Sequence, residues 1–307
     1  MPNVEYPKNL REFDRIFVND EACLLFIEHV RWGNGFTCQA CGTDKYWVLS
    51  TGLRRCQKCR FKNSVKTGSI FESSRLTLKI WFYAIWWVTA QKTGVSALNL
   101  QKNLGLGSYR SAWLLLHKIR NTMIYADRSL LQGDVEVDEA FIGGVRSGKR
   151  GRGAEGKELI VIAAECSGEK RVGRIRIQRI PDASSESLEP FITANVAKGS
   201  TIHTDGWKGY NHVGKLGYNH LPKKSATVNP DELLPRINIA TSLLKRWLLG
   251  TLHGRLDPKH MGSYLEEFIF RFNRRESKVR GLLFQRVLEN SIRIQPAPYQ
   301  KIIARNP

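Results

Sequence analysis

The sequence predicts an α/β protein: a mixed sheet flanked by helices, preceded by a cysteine ribbon and a helical pair. Three observations predict it. From Asp134 onward, β-branched runs alternate with Gly and polar turns, which is the texture of several strands of one sheet. Before that, residues 76–123 read as helices, the first of them Trp-rich (LTLKIWFYAIWWVTAQK). Between residues 38 and 59, two Cys-x-x-Cys pairs lie in a Gly-rich, strand-like stretch. The expected divisions are 1–75 for an N-terminal helix and ribbon and 76–128 for a helix-turn-helix region. Residues 129–307 then form the sheet domain with C-terminal helices.

Taken in order, residues 7–30 predict a short helical entry with an apolar stripe through Leu24, Phe26 and Ile27. A helix over 76–92 and a helical pair over about 95–123 follow the cysteine pairs. The sheet is expected from DVEVDEAFIGG, ELIVIAAECS, VGRIRIQRI and STIHTDGW, with one helix before the last of these, capped by Ser184 or Ser185. Residues 145–157, basic and Gly-rich, read as a hairpin connection. From Arg236 the pattern returns to helices. Three strands, a helix and a further strand would set that last strand beside the first.

Composition narrows the function. The chain of 307 residues carries 48 Lys and Arg against 28 Asp and Glu, a net charge of +20. Such an excess repels itself unless a polyanion offsets it, and nucleic acid is the expected partner. No apolar stretch reaches the roughly 20 residues a membrane span needs, and the polar N-terminus does not read as a secretory signal. The expected location is the bacterial cytoplasm, at the chromosome. Six cysteines, two of them isolated (Cys23 and Cys166), do not make a secreted disulfide framework; the isolated two read as packing residues.

Cys38, Cys41, Cys56 and Cys59 form two Cys-x-x-Cys pairs with 14 residues between them (42 to 55). Four thiolates so spaced close a tetrahedral shell around one structural Zn²⁺, with no position left for substrate. Arg54, Arg55 and Lys58 lie around the second pair and are candidate DNA contacts. In TGVSALNLQKNLGLGSYRSAWLLLHKIRN, Ser96 and Ser108 can cap two helices around a Gly-containing turn. The second helix of such a motif enters the major groove by its N-terminal side chains, here Tyr109, Arg110 and Ser111.

Asp134, Glu136 and Asp138 alternate with Val135 and Val137, so on a strand the acids share a face and the valines face a core. Asp205 closes the run TIHTD before a Gly-Trp turn. Carboxylates on neighbouring strands repel unless a cation joins them, and hard divalent ions prefer such oxygen ligands. Paired ions of this kind activate an attacking oxygen and stabilise a leaving one at phosphorus.

At these residues the chain resembles the DDE-type insertion-sequence transposases of the zinc-ribbon group, whose catalytic domain is ribonuclease-H-like. The matching motifs are the Cys-x-x-Cys pairs, SYRSAWLLLHKIR, VDEAFIGG, HTDGWKGY, LLKRWLLGTLHG and YLEEFIFRFNRR. The resemblance implies catalytic aspartates at Asp138 and Asp205 holding Mg²⁺ or Mn²⁺. It places Asn238 at the third acidic position, a departure from the DDE pattern in which a neutral amide oxygen replaces a carboxylate. It places a basic residue at Lys245, seven residues on (245 − 238 = 7) and on the same helical face. Asp231 and Glu232 lie near enough in sequence to compensate for the missing charge. Arg274 and Arg275 are expected to face DNA. The implied activity is metal-dependent cleavage of DNA at the element's terminal inverted repeats and strand transfer to target DNA, by a homodimer or higher oligomer. The alternative is a DNA-binding regulator with an inactive transposase-like domain.

Overall fold

The computed structural model describes residues 6–124, 128–143, 157–168, 171–223, 233–253 and 256–304. The Gly-rich connection expected over 145–157 falls almost wholly outside these residues, as do Asp231 and Glu232. The described chain separates into two compact units.

One unit runs to Met123 and takes back Ser277–Ala304. The entry segment is two helices, α1 (Leu10–Ile16) and α2 (Asp20–Trp32). They are separate because Asn9 and Asn19 each start a new helix, accepting from the Glu12 and Ala22 amides at 3.0 and 2.9 Å. A three-stranded antiparallel sheet follows: β1 (Tyr46–Val48), β2 (Arg54–Cys56) and β3 (Lys62–Asn63). Helix α3 (Leu78–Ala90) buries Trp81, Phe82 and Ile85, as an apolar helix without a polar side must. Helices α4 (Ala97–Asn103) and α5 (Tyr109–Asn121) carry side-chain caps from Ser96 and Ser108, as expected. Gly105 takes the left-handed backbone of the turn between them, at φ +60°.

The C-terminal helices were expected with the sheet domain. Residues 277–304 cluster instead with the first unit. The reason is aromatic packing. Phe284 on the later helix Arg280–Arg293 meets Phe13, Phe17, Phe82 and Trp86 with ring centroids 5.6–5.9 Å apart.

The other unit spans Ile124–Glu276. Its strands are β4 (Asp134–Ile142), β5 (Glu158–Cys166), β6 (Val172–Arg179), β7 (Thr201–Thr204) and β8 (Asn219–Pro222). Helix α6 (Ser185–Asn195) precedes β7. Helices α7 (Pro235–Leu252) and α8 (Met261–Phe272) follow β8, and the helices Arg280–Arg293 and Tyr299–Ile303 of the first unit are α9 and α10. The sheet order is β6-β5-β4-β7-β8. Strands β4, β5 and β6 pair antiparallel, while β7 is parallel to β4 and β8 to β7. The strand after the helix does lie beside the first strand. This is the ribonuclease-H-like arrangement.

Both sheet faces are covered. Val135 and Val137 join Leu188, Phe191 and Ile192 of α6 in one core. Ile142, Ile160, Ile162 and Ile175 join Ile237, Leu244 and Trp247 of α7 and Leu265 and Phe268 of α8 in the other. The face carrying Glu136 and Asp138 is therefore roofed by α7 and is not open along its length.

Candidate functional site

Strand β4 pairs with β7 in steps of one constant offset: Asp134 with Thr201, Val135 with Ile202, Glu136 with His203. That offset is 67 (203 − 136), and it is also the separation of Asp138 from Asp205 (205 − 138). Asp138 lies on β4 two residues beyond the last paired step, and Asp205 lies just past the end of β7 with the same offset in sequence. Asp205 follows the last residue of β7. Its carboxylate accepts from the Trp207 amide at 2.9 Å, across a turn in which Gly206 takes φ +82°. The bond holds the carboxylate at the strand end. Asp138 accepts from the Glu139 amide at 2.8 Å.

Tyr210, in the short helical turn after Asp205, is fully buried. Its phenol is pushed well above the ordinary value first by burial, then by Glu139, Asp138 and Asp205. Hard oxygen donors such as these carboxylates suit a divalent cation such as Mg²⁺.

The three alternating acids of β4 have different fates. Asp134 is exposed and pairs with His203 at 2.8 Å. Glu136 is 0% exposed. Its carboxylate accepts from the Arg236 and Ile237 amides at 2.7 and 3.1 Å and from the Arg236 guanidinium at 3.0 Å. Only Asp138 stays half-exposed on the aspartate cluster. Alternation alone puts Glu136 on the same face as Asp134 and Asp138 and does not single it out. The overlooked signal was at the start of α7, where Leu234 supplies no side-chain cap and Pro235 has no amide to donate.

Asn238 lies in the first turn of α7, directly after Ile237, and Lys245 lies two turns on; both are exposed, with Ser242 between them also exposed. The structure therefore brings the start of α7 to β4 and turns both residues outward from the core.

The cysteine cluster is tightly gathered. Ligand atoms of Cys38, Cys41, Cys56 and Cys59 all lie within 4.8 Å of one another. Sulfur separations of 3.6 Å (Cys38–Cys59) and 3.5 Å (Cys41–Cys56) are near the ~3.8 Å edge of a tetrahedron with Zn–S bonds of about 2.3 Å. The two knuckles repeat one geometry. The Cys38 amide donates to Thr43 O at 2.8 Å and the Cys56 amide to Phe61 O at 2.9 Å, with left-handed residues Gly42 (φ +73°) and Arg60 (φ +64°) closing the turns. Burial pushes the Cys38 thiol up, but the Ala40 and Cys41 amides and the Asn63 side chain outweigh it and bring the value down to about 6. The donor set fits Zn²⁺.

The DNA-binding candidates divide. Tyr109, Arg110 and Ser111 are exposed at the start of α5. Arg110 stacks on Tyr299, 4.0 Å from its ring centre, and Ser111 is engaged with the Ser108 cap. Lys58 is exposed and Arg55 half-buried. Arg54, expected among the DNA-facing cations, is half-buried: it pairs with Glu28 and lies over the rings of Trp32 and Tyr46 at 4.1 and 4.7 Å. Arg274 and Arg275 are half-buried and engaged locally. Arg274 lies over Phe270, and Arg275 lies over Phe272 and donates to the Val172 carbonyl, so both fasten the end of α8. Long cations beside aromatic rings pack their stems and satisfy their donors locally.

A prediction follows for Arg54. Arg54→Ala should cost about 1–3 kcal/mol of stability, from the lost ring contacts and ion pair. Thermal unfolding should show the loss, while DNA affinity of the folded protein stays the same. A large affinity loss without a change in melting would restore Arg54 to the DNA surface.

Residues 130–273 match the ISXO2-like transposase domain, and residues 18–62 match the transposase zinc-ribbon domain. The chain is 25% identical over 288 residues to an uncharacterised protein in transposable element ISH50 of Halobacterium salinarum, covering 84% of this chain and 94% of that one. A chain in the cryoEM structure of the simian T-cell lymphotropic virus intasome in complex with PP2A regulatory subunit B56 gamma aligns at 14% identity and a TM-score of 0.29. That alignment covers 55% of this chain and 63%, less than two thirds, of the other. Among the described residues, no helix is long and apolar enough to cross a membrane.

Proposed function

The chain belongs, through its two matched domains, with the zinc-ribbon insertion-sequence transposases, and from that premise we propose that it binds the ends of its element, cleaves DNA there and joins the freed end to target DNA. The observation that carries this is the parallel pairing of β4 with β7, whose constant offset, carried two residues past the last paired step, relates Asp138 on β4 to Asp205 just beyond β7. Asp138 and Asp205 would hold Mg²⁺ or Mn²⁺, and Asn238 would add an amide oxygen. When bound, such ions activate an attacking oxygen and stabilise a leaving one at phosphorus.

The chain's own groups do the rest. The Trp207 amide and the Gly206 turn keep the Asp205 carboxylate at the end of its strand. Lys245, exposed on the Asn238 face of α7, would hold a backbone phosphate beside the scissile bond. Tyr109, Arg110 and Ser111, with Arg55 and Lys58 on the ribbon, are the proposed contacts to element ends. The net charge of +20 supplies affinity that falls with salt as counterions are released. Two ends must be held together for transfer, so two or more copies are expected on DNA, at the host chromosome.

The test uses DNA carrying the inverted repeats that flank the gene, incubated with the zinc-loaded protein and Mg²⁺. Nicks at defined ends leaving 3′-hydroxyls, and joined products with a second duplex, are expected. DNA that is bound but never cut would favour the regulator. For Asn238→Ala, cleavage should fall by about 100-fold, equivalent to about 2.7 kcal/mol, with partial recovery in Mn²⁺. Lys245→Ala should slow cleavage without changing its metal dependence and lower the salt slope of binding by about one. Full activity of Asn238→Ala would remove that residue from the site.

A further inference from the structure

Helix α7 begins without a cap of its own. Leu234 offers no side-chain acceptor and Pro235 no amide hydrogen, so the Arg236 and Ile237 amides need acceptors from elsewhere. Glu136, fully buried in the neighbouring strand, supplies them through one carboxylate oxygen at 2.7 and 3.1 Å. Its other oxygen takes the Arg236 guanidinium at 3.0 Å, and the same guanidinium reaches the Gly168 carbonyl at 2.8 Å. A negative group at this helix end also opposes the positive end of the helix dipole. The carboxylate therefore acts as a cap delivered by the sheet.

The location gives this cap a second consequence. Glu136 and Asp138 share a strand and a face, two residues and about 6.7 Å apart. Ile237, whose amide Glu136 holds, immediately precedes Asn238. We propose that Glu136 is a positioning residue that fixes the first turn of α7 against β4, and so sets the separation between Asp138 and Asn238 at the divalent-cation site. This rests on the reading of that site given above. Glu136 touches neither cation nor DNA. It acts on geometry, through two amides and one guanidinium.

The test is Mn²⁺ binding to the full zinc-loaded chain, followed by electron paramagnetic resonance of the free ion. Hydrogen exchange of the α7 amides and DNA cleavage are read in parallel. Glu136→Gln, folded by circular dichroism, should weaken Mn²⁺ binding on the order of 10- to 100-fold, the range for groups that orient metal ligands. Its Arg236 and Ile237 amides should exchange faster, and affinity for element ends should be kept. Arg236→Lys, which keeps both amide bonds, should move Mn²⁺ binding in the same direction by less, and it carries the test if Glu136→Gln does not fold. Asp138→Asn, run beside them, should lose the site. If both positioning variants bind Mn²⁺ as the wild type does while Asp138→Asn does not, the positioning role is overturned and the site stands. Wild-type Mn²⁺ binding by Asp138→Asn would overturn the site, and the role of Glu136 with it.

Discussion

Asp138→Asn and Asp205→Asn are each expected to lower DNA strand cleavage by at least about 10³-fold, equivalent to about 4 kcal/mol of lost transition-state stabilisation. Each exchange is nearly isosteric. It keeps an oxygen in place but removes the charge that makes the oxygen a strong ligand for a hard cation. Asp138 is on β4 and Asp205 lies just past the end of the neighbouring β7, so each supplies its carboxylate from a different segment. Binding to element ends should persist within about threefold and should keep its steep salt dependence, because phosphate contacts come from cations elsewhere. Gel-shift titration and a cleavage time course on the same DNA separate the two effects. Asn also relieves repulsion in the cluster, so both variants should melt no lower than the wild type. Normal cleavage by either one excludes that carboxylate from the chemistry.

Removal of the ribbon's metal is the second large effect. With Cys38→Ser and Cys41→Ser together, zinc should fall from about one equivalent per chain to none, and the ribbon should unfold. Structural zinc contributes on the order of 10–16 kcal/mol to small ribbons and fingers, more than β1, β2 and β3 can recover: these strands are three, three and two residues long. Cys56 and Cys59 would be left without half of their partners. Asn63 would lose the Cys38 sulfur that its amide contacts at 3.7 Å. Hydrogen exchange should show loss of protection in residues 38–63, while the sheet unit, with its own core, keeps its protection. Metal analysis after gel filtration gives the zinc count. An unchanged count in the double variant would refute the four-thiolate site.

Much of the architecture was legible because its signals are local. The spacing of two Cys-x-x-Cys pairs defines a tetrahedral shell wherever the chain goes, and the structure gathers the four sulfurs. Ser96 and Ser108 start helices by accepting from amides three residues on, and both do so. The order of strands and helix around β4 left few ways to place β7. The alternation of Val135 and Val137 with acids correctly assigned the valines to a core.

What only the tertiary structure decided depends on groups far apart in sequence. Arg54 and Lys58 look alike as basic residues of a ribbon, yet Glu28, Trp32 and Tyr46 draw Arg54 inward while Lys58 stays exposed. Arg275 is claimed by a β6 carbonyl 103 residues away. Residues 277–304 leave the sheet unit because Phe284 finds its aromatic partners among the first 90 residues. Glu136 and Asp138 are equivalent by periodicity, and the strand alone assigns them the same face. They part because the uncapped start of α7, a hundred residues on, descends on one of them. A carboxylate roofed by two amides and a guanidinium becomes structure, while its neighbour Asp138 stays half-exposed.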